Sequence, residues 1–247
     1  MSQRLAELAA RLDATRTRIA AACVAAGRDP AEITLIAITK TYPASDVLAL
    51  ADLGLTDFGE NRDQEAAPKA AAVSAAGQPV TWHFVGQLQT NKAHSVARYA
   101  DFVHSVDRVR LVRALGAAAR AAGRGLTCLV QVNLDPAAED GGALVAGRGQ
   151  QARGGVPPAM VAQVAEAIEA EEGLTLGGLM AVAPLGTDPR SAFAPLPKLA
   201  DAVRSVNPSA TLVSAGMSGD LEAAIECGAT HLRIGTALLG DRRPPVR

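Results

Sequence analysis

Ile33-Thr34-Leu35-Ile36-Ala37-Ile38-Thr39-Lys40, followed by Thr41-Tyr42-Pro43, is the stretch that decides the fold. An apolar, β-branched run of this length is typical of a strand buried on both faces, as in parallel sheets. Pro43 cannot extend a central strand, so we expect the strand to end close to Lys40. The sequence therefore places a primary amine at the carboxyl end of a buried parallel strand, where α/β proteins bind ligands.

Lys40 allows two interpretations. An amine at this place is partly desolvated, which lowers its pKa and permits Schiff-base chemistry. The alternative is a strand-end lysine that simply reaches solvent. This stretch alone does not choose between them.

Length and composition limit the class of protein. The 247 residues have the length typical of a single (β/α)8 barrel, and we expect one domain over 1–247, with two small domains as the alternative. Lys and Arg (24) nearly balance Asp and Glu (25), which argues against a nucleic-acid partner. Cys23, Cys128 and Cys227 are too far apart for a C-x-x-C pair. With no uninterrupted apolar run for a leader or a membrane span, we expect a cytoplasmic protein with reduced thiols and no membrane partner.

The order of predicted elements gives the architecture. An amphipathic helix occupies most of 1–27 and is expected to cover one end of a barrel. Eight strands then alternate with helices, at about 33–40, 56–59, 80–85, 101–105, 127–133, 174–182, 211–214 and 230–234. Such alternation means right-handed βαβ units, and eight of them close best as a (β/α)8 TIM barrel. A doubly wound open sheet is the alternative.

One segment interrupts this rhythm. Residues 135–155 are rich in Gly, Ala, Arg and Gln and show no hydrophobic period. A long surface loop, disordered in part, is the first interpretation, and a mobile lid on the ligand-binding face is the second.

Two loops near the end of the chain suit an anion. Small residues at 213–220 let backbone N–H groups converge before a helix, although Ser218 is also a good helix N-cap. Arg233-Ile234-Gly235-Thr236-Ala237 ends the last strand with a glycine and a hydroxyl. In α/β barrels the loops after strands seven and eight commonly form a phosphate site. An amine, a phosphate site and Arg233 on one rim indicate a phosphorylated aldehyde, and pyridoxal 5′-phosphate (PLP) fits all three.

Several segments together resemble the pyridoxal phosphate homeostasis protein family. They are Ile38-Thr39-Lys40-Thr41, Phe58-Gly59-Glu60-Asn61-Arg62, Trp82-His83-Phe84-Val85-Gly86-Gln87-Leu88-Gln89-Thr90-Asn91-Lys92, Gly178-Leu179-Met180, Gly216-Met217-Ser218 and Arg233-Ile234-Gly235-Thr236-Ala237. The resemblance runs from residue 33 to 240 and implies a barrel like the N-terminal domain of alanine racemase. The 135–155 stretch departs from it, since the family has a short segment there.

The resemblance also assigns roles. It implies that Lys40 holds PLP as an internal aldimine, and that Ser218, Gly235 and Thr236 hold the phosphate. Arg233 would face the pyridine nitrogen, and because a guanidinium cannot accept a proton, that nitrogen stays unprotonated. An unprotonated ring is a poor electron sink, which argues against strong carbanion chemistry.

Asn61 and His83 complete the expected cofactor-binding residues. Alternation in Trp82-His83-Phe84 sends His83 into the barrel, where a role in the site and a satisfied interior histidine are both open. We interpret His231 as a core residue, Lys92 as a surface lysine and Glu60 as a solvated loop carboxylate. No metal site and no certain catalytic residue is predicted.

Three functions are compatible with these residues. The first is a monomeric PLP carrier of vitamin B6 homeostasis that supplies PLP-dependent apo-enzymes. The second is a PLP-dependent amino-acid racemase, which needs a second acid/base that alanine racemase takes from a C-terminal domain of its partner subunit. We see no such domain after residue 240, and neither Tyr42 nor Tyr99 has the context of that tyrosine. The third is a cofactor-free Schiff-base aldolase, which would have no chromophore.

Overall fold

Eight parallel strands form a closed barrel in which neighbours in the chain are neighbours in the sheet, and the last strand pairs with the first. The computed structural model describes residues 3–135 and 154–240. The strands are β1 (Thr34–Ile38), β2 (Asp57–Glu60), β3 (Thr81–Phe84), β4 (Phe102–Val106), β5 (Leu126–Val132), β6 (Leu174–Ala181), β7 (Leu212–Ser214) and β8 (His231–Ile234). Closure confirms the predicted barrel and excludes the doubly wound sheet. It also sets Ile36 of β1 opposite Arg233 of β8.

Ten helices in the described ranges surround the barrel. They are α1 (Gln3–Ala25), α2 (Ala44–Asp52), α3 (Asp63–Ala75), α4 (Ala93–Val96), α5 (Val109–Ala122), α6 (Val161–Glu169), α7 (Pro189–Phe193), α8 (Leu196–Val206), α9 (Leu221–Glu226) and α10 (Thr236–Leu239). Two predicted helices are shorter or divided. The helix expected at 90–99 is a 3-10 turn followed by α4, and Pro195 separates α7 from α8 where one helix was expected.

The N-terminal helix α1 lies in the outer layer. It packs against α2, α9 and α10, in the place left by the short α10 after β8. Its arginines bind neighbouring elements: Arg4 pairs with Asp46 of α2 at 2.6 Å, and Arg28, just after the helix, donates to the Ala229 carbonyl at 2.6 Å. The expectation that α1 covers an end of the barrel is therefore wrong, because its apolar face meets helices.

The core has two parts. A continuous apolar layer lies between strands and helices, with Phe58, Phe84 and Phe193 among its largest fully buried side chains. The barrel interior is smaller and more polar. Gly59 of β2 packs closely there: a Cβ atom would lie 2.5 Å from Cδ1 of Ile38, so the Ile38 side chain would have to move to accept any larger residue.

The long stretch predicted at 135–155 lies almost wholly outside the described residues. The described residues continue from 154, and Asn133 N–H donates to the Val156 carbonyl at 2.8 Å beside β5. None of the helices within 3–135 and 154–240 combines the length and the continuous apolar surface that a transmembrane span requires.

Candidate functional site

Lys40 lies in a tight turn immediately after β1. Tyr42 N–H donates to the Thr39 carbonyl at 3.0 Å, so Thr39 to Tyr42 form a β-turn with Lys40 as its second residue. Thr41, the third residue, has φ 71°, a left-handed conformation that a β-branched residue rarely adopts. The Tyr42 hydroxyl donates to the Gly240 carbonyl at 2.7 Å, which connects this turn to the end of α10. The backbone that carries Lys40 is therefore held in an unusual conformation.

Side chains of α3 and β2 fix this turn from the next βα unit. Lys69 Nζ donates to the Thr39 carbonyl at 2.8 Å and pairs with Glu60 Oε1 at 2.5 Å. The Thr39 hydroxyl donates to the same Glu60 oxygen at 2.7 Å. Glu65 accepts the Thr41 N–H. We name these four groups, Thr39, Glu60, Glu65 and Lys69, the lysine-turn clamp, because they bind the residues on both sides of Lys40.

Glu60 is a buried member of the clamp, and its interpretation as a solvated loop carboxylate is wrong. The residue is fully buried, and burial raises the pKa of its carboxyl against the opposing effect of Lys69 and Thr39. Its second oxygen, Oε2, is buried and has no hydrogen-bond partner within the described ranges. Such a carboxylate depends strongly on its one lysine partner.

The two predicted anion loops meet at the same rim. Ser218 Oγ accepts a long hydrogen bond of 3.4 Å from the Ala237 N–H, so the loops after β7 and β8 are in contact. A Cβ atom on Gly235 would lie 3.6 Å from the Ile38 carbonyl, which places this loop beside the end of β1. Ser218 is not the N-cap of α9, because Asp220 takes that position. The Ser218 hydroxyl is thus directed to the β8 loop, as a phosphate site requires.

A residue of α1 supports the β7 loop from outside. Arg18 donates to the Ser218 carbonyl at 2.7 Å and pairs with Glu222 of α9 at 2.6 Å. Gly216 has φ 90°, and a Cβ atom there would lie 2.7 Å from Cβ of Ala224, so only glycine allows the loop to approach α9 this closely.

Arg233 is a buried cation beside these loops. It is 5% exposed, and it donates to Ser214 Oγ at 2.6 Å and to the Ala181 carbonyl at 2.8 Å. Burial lowers the pKa of its guanidinium to about 10, although Asp220 acts in the opposite direction. No carboxylate of the described residues forms an ion pair with it. A guanidinium has five N–H groups, and these two bonds use two of them, so Arg233 is suited to meet an acceptor on a ligand.

Asn61 and His83 occupy different depths. Asn61 follows β2 at the rim, and its backbone packs on Gly86, where a Cβ atom would lie 2.0 Å from the Asn61 carbonyl oxygen. His83 is 1% exposed inside the barrel and is hydrogen-bonded to His104 and Asp57, at 2.9 Å each. Both ring nitrogens of His83 therefore have partners within the barrel, which agrees with the second of the two interpretations, an interior histidine with satisfied hydrogen bonds.

The remaining polar positions have ordinary contacts. His231 lies inside the barrel, where its Nδ1 is 2.8 Å from the Thr230 hydroxyl, and burial lowers its pKa to about 4. Lys92 is 38% exposed and lies 3.8 Å from Asp63. Lys69 and His104 were not predicted. The alternation that placed His83 inside β3 applies equally to His104 in β4, whereas nothing local in the sequence directs Lys69 to the Lys40 turn.

Comparison with known proteins agrees with this arrangement. The family described as "Alanine racemase, N-terminal domain" matches residues 10–243. The pyridoxal phosphate homeostasis protein of Mycobacterium bovis is 44% identical over 97% of this chain and 95% of its own. That of Escherichia coli K12 is 34% identical over 96% and 97%. The structure of PipY from Synechococcus elongatus, solved with PLP bound, is 31% identical with a TM-score of 0.78, over 94% of this chain and 100% of PipY. The chain therefore belongs to the pyridoxal phosphate homeostasis protein family and has the barrel of the alanine racemase N-terminal domain.

Proposed function

We propose that this protein is a monomeric, cytoplasmic PLP carrier that binds the cofactor covalently through Lys40 and releases it to PLP-dependent apo-enzymes. In this proposal the whole chain, 1–247, serves as one cofactor-binding domain. Ser218, Gly235 and Thr236 hold the phosphate, Arg233 faces the ring nitrogen, and Asn61 borders the ring at the rim. His83 contributes from inside the barrel through its hydrogen bonds. PLP would supply an aldehyde that condenses with a primary amine and loses water.

The single observation that carries the proposal is the placement of Lys40 and the β7 and β8 loops at one rim. Gly235 lies next to Ile38, two residues before Lys40, and Ser218 faces the β8 loop. Arg233 adds a buried cation with no carboxylate partner in the described ranges, which is costly unless an acceptor meets it. A pyridine nitrogen is such an acceptor. Amine, phosphate site and guanidinium thus match three groups of one ligand.

The tyrosines favour a carrier over a racemase. A two-base racemase needs a second acid/base facing the lysine. The Tyr42 hydroxyl is bonded to the Gly240 carbonyl, and Tyr99 is a partly buried residue whose pKa is raised by burial. Neither is arranged to exchange a proton at the Lys40 rim. The thiols of Cys23, Cys128 and Cys227 are unpaired, which agrees with a reducing compartment.

The experiment is an absorbance spectrum of the purified protein after incubation with PLP, before and after borohydride. We expect a visible band that borohydride removes, that Lys40→Ala abolishes and that the matched control Lys92→Ala retains. A band that persists in Lys40→Ala, or no band at any PLP concentration, would refute covalent binding at this residue. The second result would favour the cofactor-free aldolase.

A transfer assay separates carrier from racemase. The loaded protein is mixed with a PLP-dependent apo-enzyme whose activity reports the arrival of cofactor, and amino-acid enantiomers are followed in parallel. We expect recovery of apo-enzyme activity and no racemisation. Racemisation that depends on Lys40 would establish the enzyme instead, and light scattering that shows a dimer would remove the monomer from the proposal.

A further inference from the structure

Five polar side chains form a continuous hydrogen-bond chain through the barrel interior. Arg233 Nη1 donates to Ser214 Oγ at 2.6 Å, and Ser214 Oγ lies 2.9 Å from His104 Nδ1. His104 Nε2 lies 2.9 Å from His83 Nδ1, and His83 Nε2 lies 2.9 Å from Asp57 Oδ1. We name this set the interior chain. It joins Arg233, at the cofactor rim, to Asp57, the first residue of β2 at the opposite end.

The two ends determine the direction of every bond. Arg233 can only donate, and an ionised Asp57 can only accept. Burial raises the pKa of Asp57, but hydrogen bonds from His83 and Thr56 outweigh it, and the net shift is downward, which keeps the carboxylate ionised.

Neutral imidazoles then have one arrangement along the interior chain. His83 gives its Nε2–H to Asp57 and accepts at Nδ1 from His104 Nε2–H. His104 accepts at Nδ1 from the Ser214 hydroxyl, and Ser214 accepts from Arg233. Burial lowers the pKa of His104, which agrees with a neutral ring. If His83 carried a second proton at Nδ1, it would donate to His104 Nε2, and His104 would then donate from Nδ1 to Ser214. Ser214 would accept two hydrogen bonds, one from His104 and one from Arg233.

The interior chain has few substitutes for its bonds. His104 and Ser214 are fully buried, so water does not replace a lost partner. Among the described residues, Ser214 is the side chain that anchors Arg233, and the other anchor is the Ala181 carbonyl. The histidines are not a metal site, since no group of three or more His, Cys, Asp or Glu within 3–135 and 154–240 could hold an ion.

We propose that His104 is a positioning residue for Arg233: through Ser214, it fixes the direction in which the guanidinium meets the ligand's ring nitrogen. This inference rests on the proposed function for its ligand. It concerns the protein's own hydrogen bonds, which exist without the cofactor and are measurable in its absence.

Two substitutions of His104 separate its two bonds. The amide of Asn reaches the place of Nδ1, so His104→Asn keeps an acceptor for Ser214 and loses the bond to His83. The amide of Gln reaches the place of Nε2, so His104→Gln keeps the bond to His83 and loses Ser214. Ser214→Ala removes the anchor directly. His94→Gln, at an exposed histidine bonded to Arg98, is the matched control.

The first readout uses cofactor-free protein. In nitrogen-15 NMR of the wild type, we expect His83 and His104 as neutral rings protonated at Nε2. The Nε–H signal of Arg233 should move in His104→Gln and Ser214→Ala and stay in place in His104→Asn and His94→Gln. A wild-type spectrum with His104 protonated at Nδ1 would overturn the inference without any variant.

The second readout is PLP affinity and the spectrum of bound PLP. We expect His104→Gln and Ser214→Ala to weaken binding about fivefold or more, the effect of one lost hydrogen bond, while His104→Asn stays within about twofold. If both His104 variants weaken binding equally and in proportion to lost stability, the role is only structural and the inference is wrong. If wild-type protein binds no PLP, the proposed function fails, and the Arg233 signal still decides whether His104 orients the guanidinium.

Discussion

Replacement of Lys69 by Met should destabilise the protein strongly, because it isolates a buried carboxylate. Lys69 is 5% exposed at its side chain and Glu60 is 1% exposed, at 2.5 Å from each other. Met fills nearly the same space as the lysine stem but has no charge. Glu60 then keeps the Thr39 hydroxyl as its partner, and the Thr39 carbonyl loses the Lys69 donor.

The expected loss of stability in Lys69→Met follows from protonation of Glu60. Without its cation, buried Glu60 takes up a proton, and at pH 7 this costs at most about 3.4 kcal/mol, which is about 1.36 kcal/mol for each pH unit above the ordinary value of 4.5. The wild type already bears a small part of this cost, because burial raises the pKa of Glu60 there too. The lost bond to the Thr39 carbonyl adds about 1 kcal/mol. We expect a total loss of about 4 kcal/mol, within the range of about 3–5 kcal/mol for broken buried pairs.

The sign of the pH dependence provides a second test of this reasoning. The folded-state pKa of Glu60 in the variant lies above the unfolded value, so the carboxyl favours the folded state at low pH and disfavours it as pH rises. The penalty of Lys69→Met should therefore fall to about 2 kcal/mol at pH 5.

Urea denaturation at pH 7 and pH 5 measures these differences. Lys92→Met is the matched control, since that lysine is 38% exposed and 3.8 Å from Asp63, and it should lose less than about 1 kcal/mol. Glu60→Gln combined with Lys69→Met should regain at least half of the loss. Equal losses for the two lysines, or a penalty that does not change with pH, would refute the buried-pair account.

Two further predictions concern the barrel and its rim. The pKa of His231 is about 4 in the folded protein and 6.5 in the unfolded chain. Its neutral form therefore stabilises the fold above pH 6.5, and this stabilisation is lost as the pH falls toward 4. The pKa of His104 is also lowered by burial, so His104 contributes with the same sign. When the pH falls from 7 to 5, the free energy of unfolding, measured in urea, should decrease by about 2 kcal/mol less in His231→Asn than in the wild type. The same pH dependence in both proteins would contradict this. Gly86→Ala should lower the free energy of unfolding by about 1–3 kcal/mol or more, measured by urea denaturation, because the new Cβ atom would lie 2.0 Å from the Asn61 carbonyl oxygen. The control Gly125→Ala has open space around its Cβ atom and should lose less than about 1 kcal/mol. Equal losses for the two variants would refute the close packing at Gly86.

The barrel was predictable because its signals are local and repeated. The β-branched run at 33–40 and seven shorter strands alternate with helical segments, and this alternation permits few topologies. Pro43 and the small residues of the β7 and β8 loops marked the rim. The division between α7 and α8 was missed although Pro195 and Pro197 are visible in the sequence, since proline is also tolerated in the first turn of a helix.

The lysine-turn clamp was not predictable in the same way. Glu60 is the last residue of the short strand β2, and Lys69 lies in the middle of α3; both look solvated when read locally. They meet within the β2–α3 unit, and because β2 pairs with β1 they lie beside the Lys40 turn, a relation between elements that no single segment encodes. The interior chain has the same origin: His83, His104 and Arg233 come from three strands, and only the register between strands brings them into line.

Several residues that are not predicted to touch the cofactor fix the position of those that are. The lysine-turn clamp fixes the backbone on both sides of Lys40, Arg18 holds the β7 loop from α1, and Ser214 anchors Arg233 from within. Under the proposed carrier function, these contacts would hold the Lys40 turn and the phosphate loops in place while the cofactor binds and is released.

The most direct test of the central claim is the site of covalent attachment. The protein is incubated with PLP, reduced with borohydride, digested and analysed by mass spectrometry. The chain has four lysines, Lys40, Lys69, Lys92 and Lys198, so the modified peptide identifies the residue. The account predicts one phosphopyridoxyl group per chain, on Lys40. Label spread among the four lysines, or concentrated on Lys92 or Lys198, would contradict it.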